Sequence, residues 1–295
     1  MSMFKKIGKN IRERFIASNT YDDKKHYTFS HFSDYIRPSI YDENGIWETN
    51  DGEYAWICEL APRIRMGSET AETFEQALSK IPEGFYTQII LYGSKNIESY
   101  LQEYTKVHTQ RDEDIVLNGV NNFVNFLRQK TEEPINARFS TQIKNNRVFF
   151  VLKNRDFGRL KATKEDVFNI LNSNHFYPTN LEENELKVIF YEMVNPNHGL
   201  QNIQDYDERK FFNKQIMASD NKIFVYKDSV VVDGKYFKAL TPIKYPKYAH
   251  ISEFGIKLGD YISKGSDSNQ FVDNYMICLN LTRVGSAESA SIKRN

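Results

Sequence analysis

Between Tyr54 and Pro62 the chain alternates, with Trp56, Cys58 and Leu60 on one face; this predicts a strand that Pro62 ends. A helical stripe of Phe74, Ala77 and Leu78 predicts a helix from Ser68 to Lys80. Ser68 is placed to cap it, and Glu69 and Glu72 sit in its first turn, where negative charge offsets the helix dipole. Ile81-Pro82-Glu83-Gly84 stops the helix, and Phe85 to Tyr92 reads as a second strand. Strand, helix and strand at this spacing predict a βαβ unit, right-handed if the strands pair in parallel.

Helices are expected next at Ile97 to Val107 and Asp112 to Lys130, the second lined by Ile115, Val116, Val120, Phe123, Val124 and Leu127. After Pro134, Phe139 to Ile143 and Arg147 to Leu152 flank Asn145-Asn146, whose tolerance of left-handed backbone predicts a hairpin turn. Thr163 is the expected cap of a helix to Asn172 with Val167, Phe168, Ile170 and Leu171 apolar, and another helix is expected from Leu181 to Met193. Strands then follow at Lys222 to Tyr226, Ser229 to Val232, Tyr236 to Thr241 and Asn274 to Thr282, with Asp233-Gly234 as a hairpin turn and a short helix at His250 to Leu258. The pattern is that of an α+β (mixed α/β) protein in two subdomains, an N-terminal βαβ-containing layer and a C-terminal antiparallel strand-rich part. The expected boundaries are a basic amphipathic segment at 1–27, an α/β subdomain at 28–175, a strand-rich subdomain at 176–284 and a linker or tail at 285–295. The polar stretch from Asn172 to Asn180, with Pro178, marks the middle division.

Length and composition agree with two folded units: 295 residues, 40% hydrophobic, and 14% aromatic, a bias that favours strands. Lys+Arg and Asp+Glu both number 39, so no global positive field draws in nucleic acid, and copies of the chain do not repel at long range. Cys58 and Cys278 both stand in apolar runs and read as buried thiols in a reducing cytoplasm. No run approaches the ~20 apolar residues that span a bilayer.

Signatures of chemistry are sparse. Gly93-Ser94-Lys95 lacks the leading glycine of a phosphate-cradling loop, and Gly259 to Gly265 lacks the following Lys-Ser/Thr, so neither is expected to bind ATP. His26, His31, His108, His175, His198 and His250 show no paired metal-ligand spacing. Acidic clusters at Asp112-Glu113-Asp114, Glu165-Asp166 and Glu182-Glu183-Glu185 fall at predicted helix starts, which accounts for them. Asp205, Asp207 and Glu208 read as a fourth, solvated helix start; Mg²⁺ coordination there is the rival enzyme reading.

Two stretches could meet partners. Phe4, Ile7, Ile11 and Phe15 recur at helical spacing among Lys5, Lys6, Lys9, Arg12 and Arg14, the pattern of a basic amphipathic helix lying on anionic lipid or on a partner. Its alternatives are a helix packed on its own domain and a frayed terminus. Lys235, Tyr236 and Lys238, with Lys244, Tyr245 and Lys247, interleave charge and aromatic rings as nucleic-acid-binding sheets do. A hairpin strand with one buried face gives the same pattern.

Phe32-Ser33, Tyr41, Gly45, the strand ending Glu59-Leu60-Ala61-Pro62, the helix after it and Ile81-Pro82-Glu83-Gly84 together resemble the N-terminal region of the TraC-type (VirB/TraC) ATPases of F-like type IV secretion systems. A fainter likeness continues through Val230 to Leu240 and Asn274 to Thr282. The resemblance implies a non-catalytic docking and assembly module for conjugative transfer and pilus building, peripheral at the cytoplasmic face of the bacterial inner membrane. Implied partners are the inner-membrane subunits of the secretion channel and further copies of the chain, in a hexamer for the full-length family protein. ATP and Mg are implied only for an ATPase domain that family members carry after this region, so no catalytic residue and no cofactor transfers to this chain. The alternative function is a nucleic-acid-binding protein of the transfer machinery.

Overall fold

A computed structural model describes residues 36, 38–61, 68–108, 114–135, 142–198, 203–218, 220–240 and 273–283, all within the unit Ile36–Asn295. Its centre is a seven-stranded antiparallel sheet. Along the sheet run β1 (Pro38–Tyr41), β2 (Ile46–Thr49), β3 (Tyr54–Leu60), β5 (Asn145–Asn154), β4 (Tyr86–Ser94) and β10 (Tyr275–Thr282), and β6 (Thr179–Asn180) pairs with β3 beside this path. Strands from both sides of residues 172–180 therefore share one sheet. With five α-helices beside it among the described residues, the chain is an α+β protein.

The alternation read in β3 holds: Trp56, Cys58 and Leu60 enter the main core with Phe150 and Leu152 of β5. Helix α1 (Ser68–Ser79) brings Phe74, Ala77 and Leu78 to that core, and α4 (Phe157–Ser173) brings Leu160, Val167 and Leu171. Both faces of β3 and β5 are covered, which is why each reads as a nearly continuous apolar run. On the second face Trp47 meets Tyr41 and Phe212 at ring distances of 4.9 and 4.8 Å, with Phe190 of α5 (Glu183–Val194) 6.0 Å from Phe212.

Strands β3 and β4, joined through α1, do not pair with each other. Strand β5 lies between them, antiparallel to both, so the predicted βαβ unit exists in split form, with its outer strands parallel and one strand apart. The same pairing removes the hairpin expected at Asn145-Asn146. Those residues extend β5 and sit opposite Ser94 and Gly93, where a continuing ladder satisfies backbone groups that a local turn would leave to solvent.

Two further corrections concern helix starts. The cap of α4 is Asp156, whose Oδ1 accepts the Arg159 amide at 3.0 Å; Phe157 and Leu160 extend the apolar stripe a turn and a half upstream, and Thr163 is buried within the helix. Glu165 and Asp166 accordingly lie inside α4 rather than at its start. Glu182 and Glu183 do stand at the start of α5.

Between β4 and β5 the chain makes an antiparallel pair, α2 (Glu98–His108) and α3 (Asp114–Glu132), with a small core of Ile97, Leu101, Val120 and Val124. Ile115 and Phe123, expected on the buried stripe, are 86% and 43% exposed, because two helices bury a narrower band than the apolar stripe supplies. The three short strands β7 (Ile223–Val225), β8 (Val230–Val232) and β9 (Lys235–Phe237) form a separate meander. Its Asp233-Gly234 turn has φ of 48° and 82°, both left-handed as this tight hairpin requires. The short helix expected at His250 to Leu258 lies outside the described residues.

Candidate interaction surfaces

The residues singled out in the sequence fall into separate places. Phe4, Lys5, Lys6, Ile7, Lys9, Ile11, Arg12 and Phe15 lie outside the described residues, as do Lys244, Tyr245 and Lys247. Lys235 and Tyr236 lie on β9, with Tyr236 opposite Val231, and Lys238 follows the strand, its Nζ 3.7 Å from Asp228. Tyr236 is 75% exposed, so this strand does present a ring between two lysines.

Asp207 does not begin a helix. Its carboxylate accepts the Arg209 amide and Nε at 3.1 and 2.8 Å, and this pairing holds its pKa down at about 2. Among the described residues no group of three His, Cys, Asp or Glu side chains is placed to hold a metal ion, and no helix is long and apolar enough to cross a membrane.

Gly93-Ser94-Lys95 ends β4 and leads into α2, a strand–loop–helix order. Its groups are engaged within the protein. The Asn96 amide donates to Ser94 Oγ at 2.8 Å and the Glu98 amide to Asn96 Oδ1 at 3.1 Å. Lys95 Nζ pairs with Glu132 at 2.8 Å and Asp273 at 3.2 Å; burial opposes its charge, but these two carboxylates outweigh burial and raise its pKa. Ser94 Oγ donates to Glu192, which also accepts from Asn274 Nδ2 at 2.9 Å. Lys144 Nζ donates to the Asp273 carbonyl at 2.8 Å and lies 5.1 Å from the Tyr275 ring; burial, then the nearby Lys95, pushes its pKa down to about 8. This polar node ties the ends of β4, β5 and β10 to α3 and α5. Arg147 makes a two-pronged pair with Glu59 on the neighbouring sheet face.

Beside the node, the root of the α2–α3 pair carries an open, shallow pocket lined by Ile97, Tyr100, Leu101, Leu127, Ile143 and Lys144. Tyr100, Val107, Ile115, Phe123 and Phe126 are exposed on the same two helices. A second exposed apolar element is β10. Cys58 is buried as expected and burial raises its thiol pKa, but Cys278 is exposed, because among the described residues β10 has a strand on one side only and its apolar residues are only partly covered. Sequence reasoning placed both elements but missed their exposure, since the hydrophobic runs of a partly covered strand and of a two-helix pair look like those of buried elements.

The profile of the family described as TraC protein (TraC_F_IV) matches residues 32–293, so the chain belongs to the TraC family. It is a protein of conjugative transfer by type IV secretion, of the type found in F-like conjugation systems. No curated protein matches it.

Proposed function

We propose that this chain is a non-catalytic docking and assembly module of the conjugative transfer apparatus, contacting inner-membrane channel subunits at the cytoplasmic face of the membrane. The observation that carries this reading is the α2–α3 pair, which stands between β4 and β5 with Tyr100, Val107, Phe123 and Phe126 open to solvent. Large apolar side chains grouped on one element favour a protein partner over solvent. The engaged loop at Gly93–Lys95 supports a role without nucleotide turnover.

Co-purification of the chain with the channel subunits of its own transfer system tests the reading. Binding is expected for the native chain and is expected to drop at least tenfold in a Phe123→Ser, Phe126→Ser double variant whose circular dichroism is unchanged. Undiminished binding by that variant, or ATP hydrolysis by the purified chain, overturns the proposal. Lys235, Tyr236 and Lys238 support a second reading, contact with nucleic acid, which requires affinity that falls steeply with salt.

A further inference from the structure

We propose that β10 is a homotypic edge: two copies of the chain join by antiparallel β10–β10 pairing about a two-fold axis at Cys278. This deepens the assembly half of the proposed function. Its test uses the chain alone, so failure to self-pair and failure to bind channel subunits are distinguishable.

Among the described residues β10 has a strand on one side only, β4. Its register with β4 is unbroken from Tyr275 opposite Gly93 to Thr282 opposite Tyr86, so it presents a straight outer row of backbone donors and acceptors. Edges that stay single are guarded by lysine, proline or a bulge. Strand β10, Tyr-Met-Ile-Cys-Leu-Asn-Leu-Thr, has no charge and no proline, and its Met276 and Leu279 are exposed.

The sequence itself selects a second copy as the occupant. In a two-fold antiparallel pair the residue on the axis faces its own twin, and residues equally far from it on either side face each other. With Cys278 on the axis, Ile277 faces Leu279 of the second copy, Met276 faces Asn280 and Tyr275 faces Leu281. The uncharged strand is flanked by Asp273 and Arg283, which stand equally far from Cys278 and therefore face each other twice across the join. Moving the axis one residue either way loses both unlike-charge pairs. The Asp273 carboxylate lies at the surface, 3.2 Å from Lys95. Arg283 uses Nη1 for the carbonyls of Ser79 and Ile81, at 2.9 and 2.7 Å, which leaves its guanidinium a second edge for a carboxylate.

The same register puts two exposed thiols on the axis, at the Cα separation that disulfides span, while buried Cys58 stays silent. Mild oxidation of the native chain is expected to give a disulfide-linked dimer, absent in Cys278→Ser. Sedimentation is expected to show a reversible dimer that Leu279→Lys weakens about tenfold or more without changing circular dichroism. The register is tested by charge: Asp273→Arg and Arg283→Asp are each expected to be monomeric alone, and their mixture to pair again. A chain that is monomeric and does not cross-link through Cys278 overturns the proposal, as would be found if the chain's own residues cover the edge. Single charge variants that dimerise like the native chain overturn the register, and with it the axis at Cys278.

Discussion

Tyr275 lies against Gly93 across the β4–β10 pair, so closely that a Cβ on Gly93 would come within 2.3 Å of the tyrosine ring. The missing side chain lets Tyr275 OH reach Asn146 Oδ1 at 2.7 Å and keeps the ring 5.1 Å from Lys144 Nζ. Gly93→Ala is expected to expel the ring, release both contacts and destabilise the docking of β10 by about 1–3 kcal/mol, the range for overpacking. Hydrogen exchange reads this directly: β10 amides lose protection while those of β3 and β5 keep theirs.

Gly45 turns the chain between β1 and β2 at φ +72°, and a Cβ there would meet Asn180 Nδ2 at 2.5 Å. Asn180 Oδ1 accepts Trp56 Nε1 at 2.8 Å. Gly45→Ala is expected to strain the turn and displace this acceptor from a buried indole, at a cost of about 1–3 kcal/mol in denaturant unfolding. Asn180→Ala should recover part of that loss in the double variant, since it removes the obstacle.

Phe212, fully buried, is the hub of rings on the second face, next to Trp47, Phe190 and Tyr206. Phe212→Ala is expected to cost about 3–5 kcal/mol, with the fluorescence of Trp47 reporting the loosened packing. Ile115→Ser, at an 86% exposed position, is expected to stay within about 0.5 kcal/mol of the native chain.

Lys144 has a folded-state pKa pushed by burial from 10.5 down to about 8. The unfolded chain therefore binds the proton more tightly, and stability is expected to rise with pH between those two values. Acylation of the Lys144 amine, followed by peptide mapping, is expected to titrate near 8, well below exposed lysines. Lys144→Met removes this component of the pH dependence.

The alternation of Trp56, Cys58 and Leu60, the helix carrying Phe74, Ala77 and Leu78, and the Asp233-Gly234 turn are all legible in sequence, because neighbours in the chain decide them. Insertion of β5 between β3 and β4 is not, since Asn145 and Asn146 carry a local turn signal that pairing with Ser94 and Gly93 overrides. The exposure of Cys278 is hidden for a related reason: apolarity marks a strand but not whether both of its sides are filled. Of the candidate surface residues, Lys235, Tyr236 and Lys238 are exposed, on β9 and directly after it. The equal spacing of Asp273 and Arg283 about Cys278 is legible in the sequence, but it bears on the proposed pairing only because β10 has a strand on one side alone among the described residues.

The sheet takes its last strand from residues 275–282, although β4, which receives it, is complete by residue 94. During synthesis on the ribosome, β3, β4 and β5 can assemble with their helices long before that strand emerges. The flank of β4 then waits as an unfilled slot through the translation of more than half the chain, and a nascent protein in that condition is where a chaperone or a neighbouring nascent chain would first take hold.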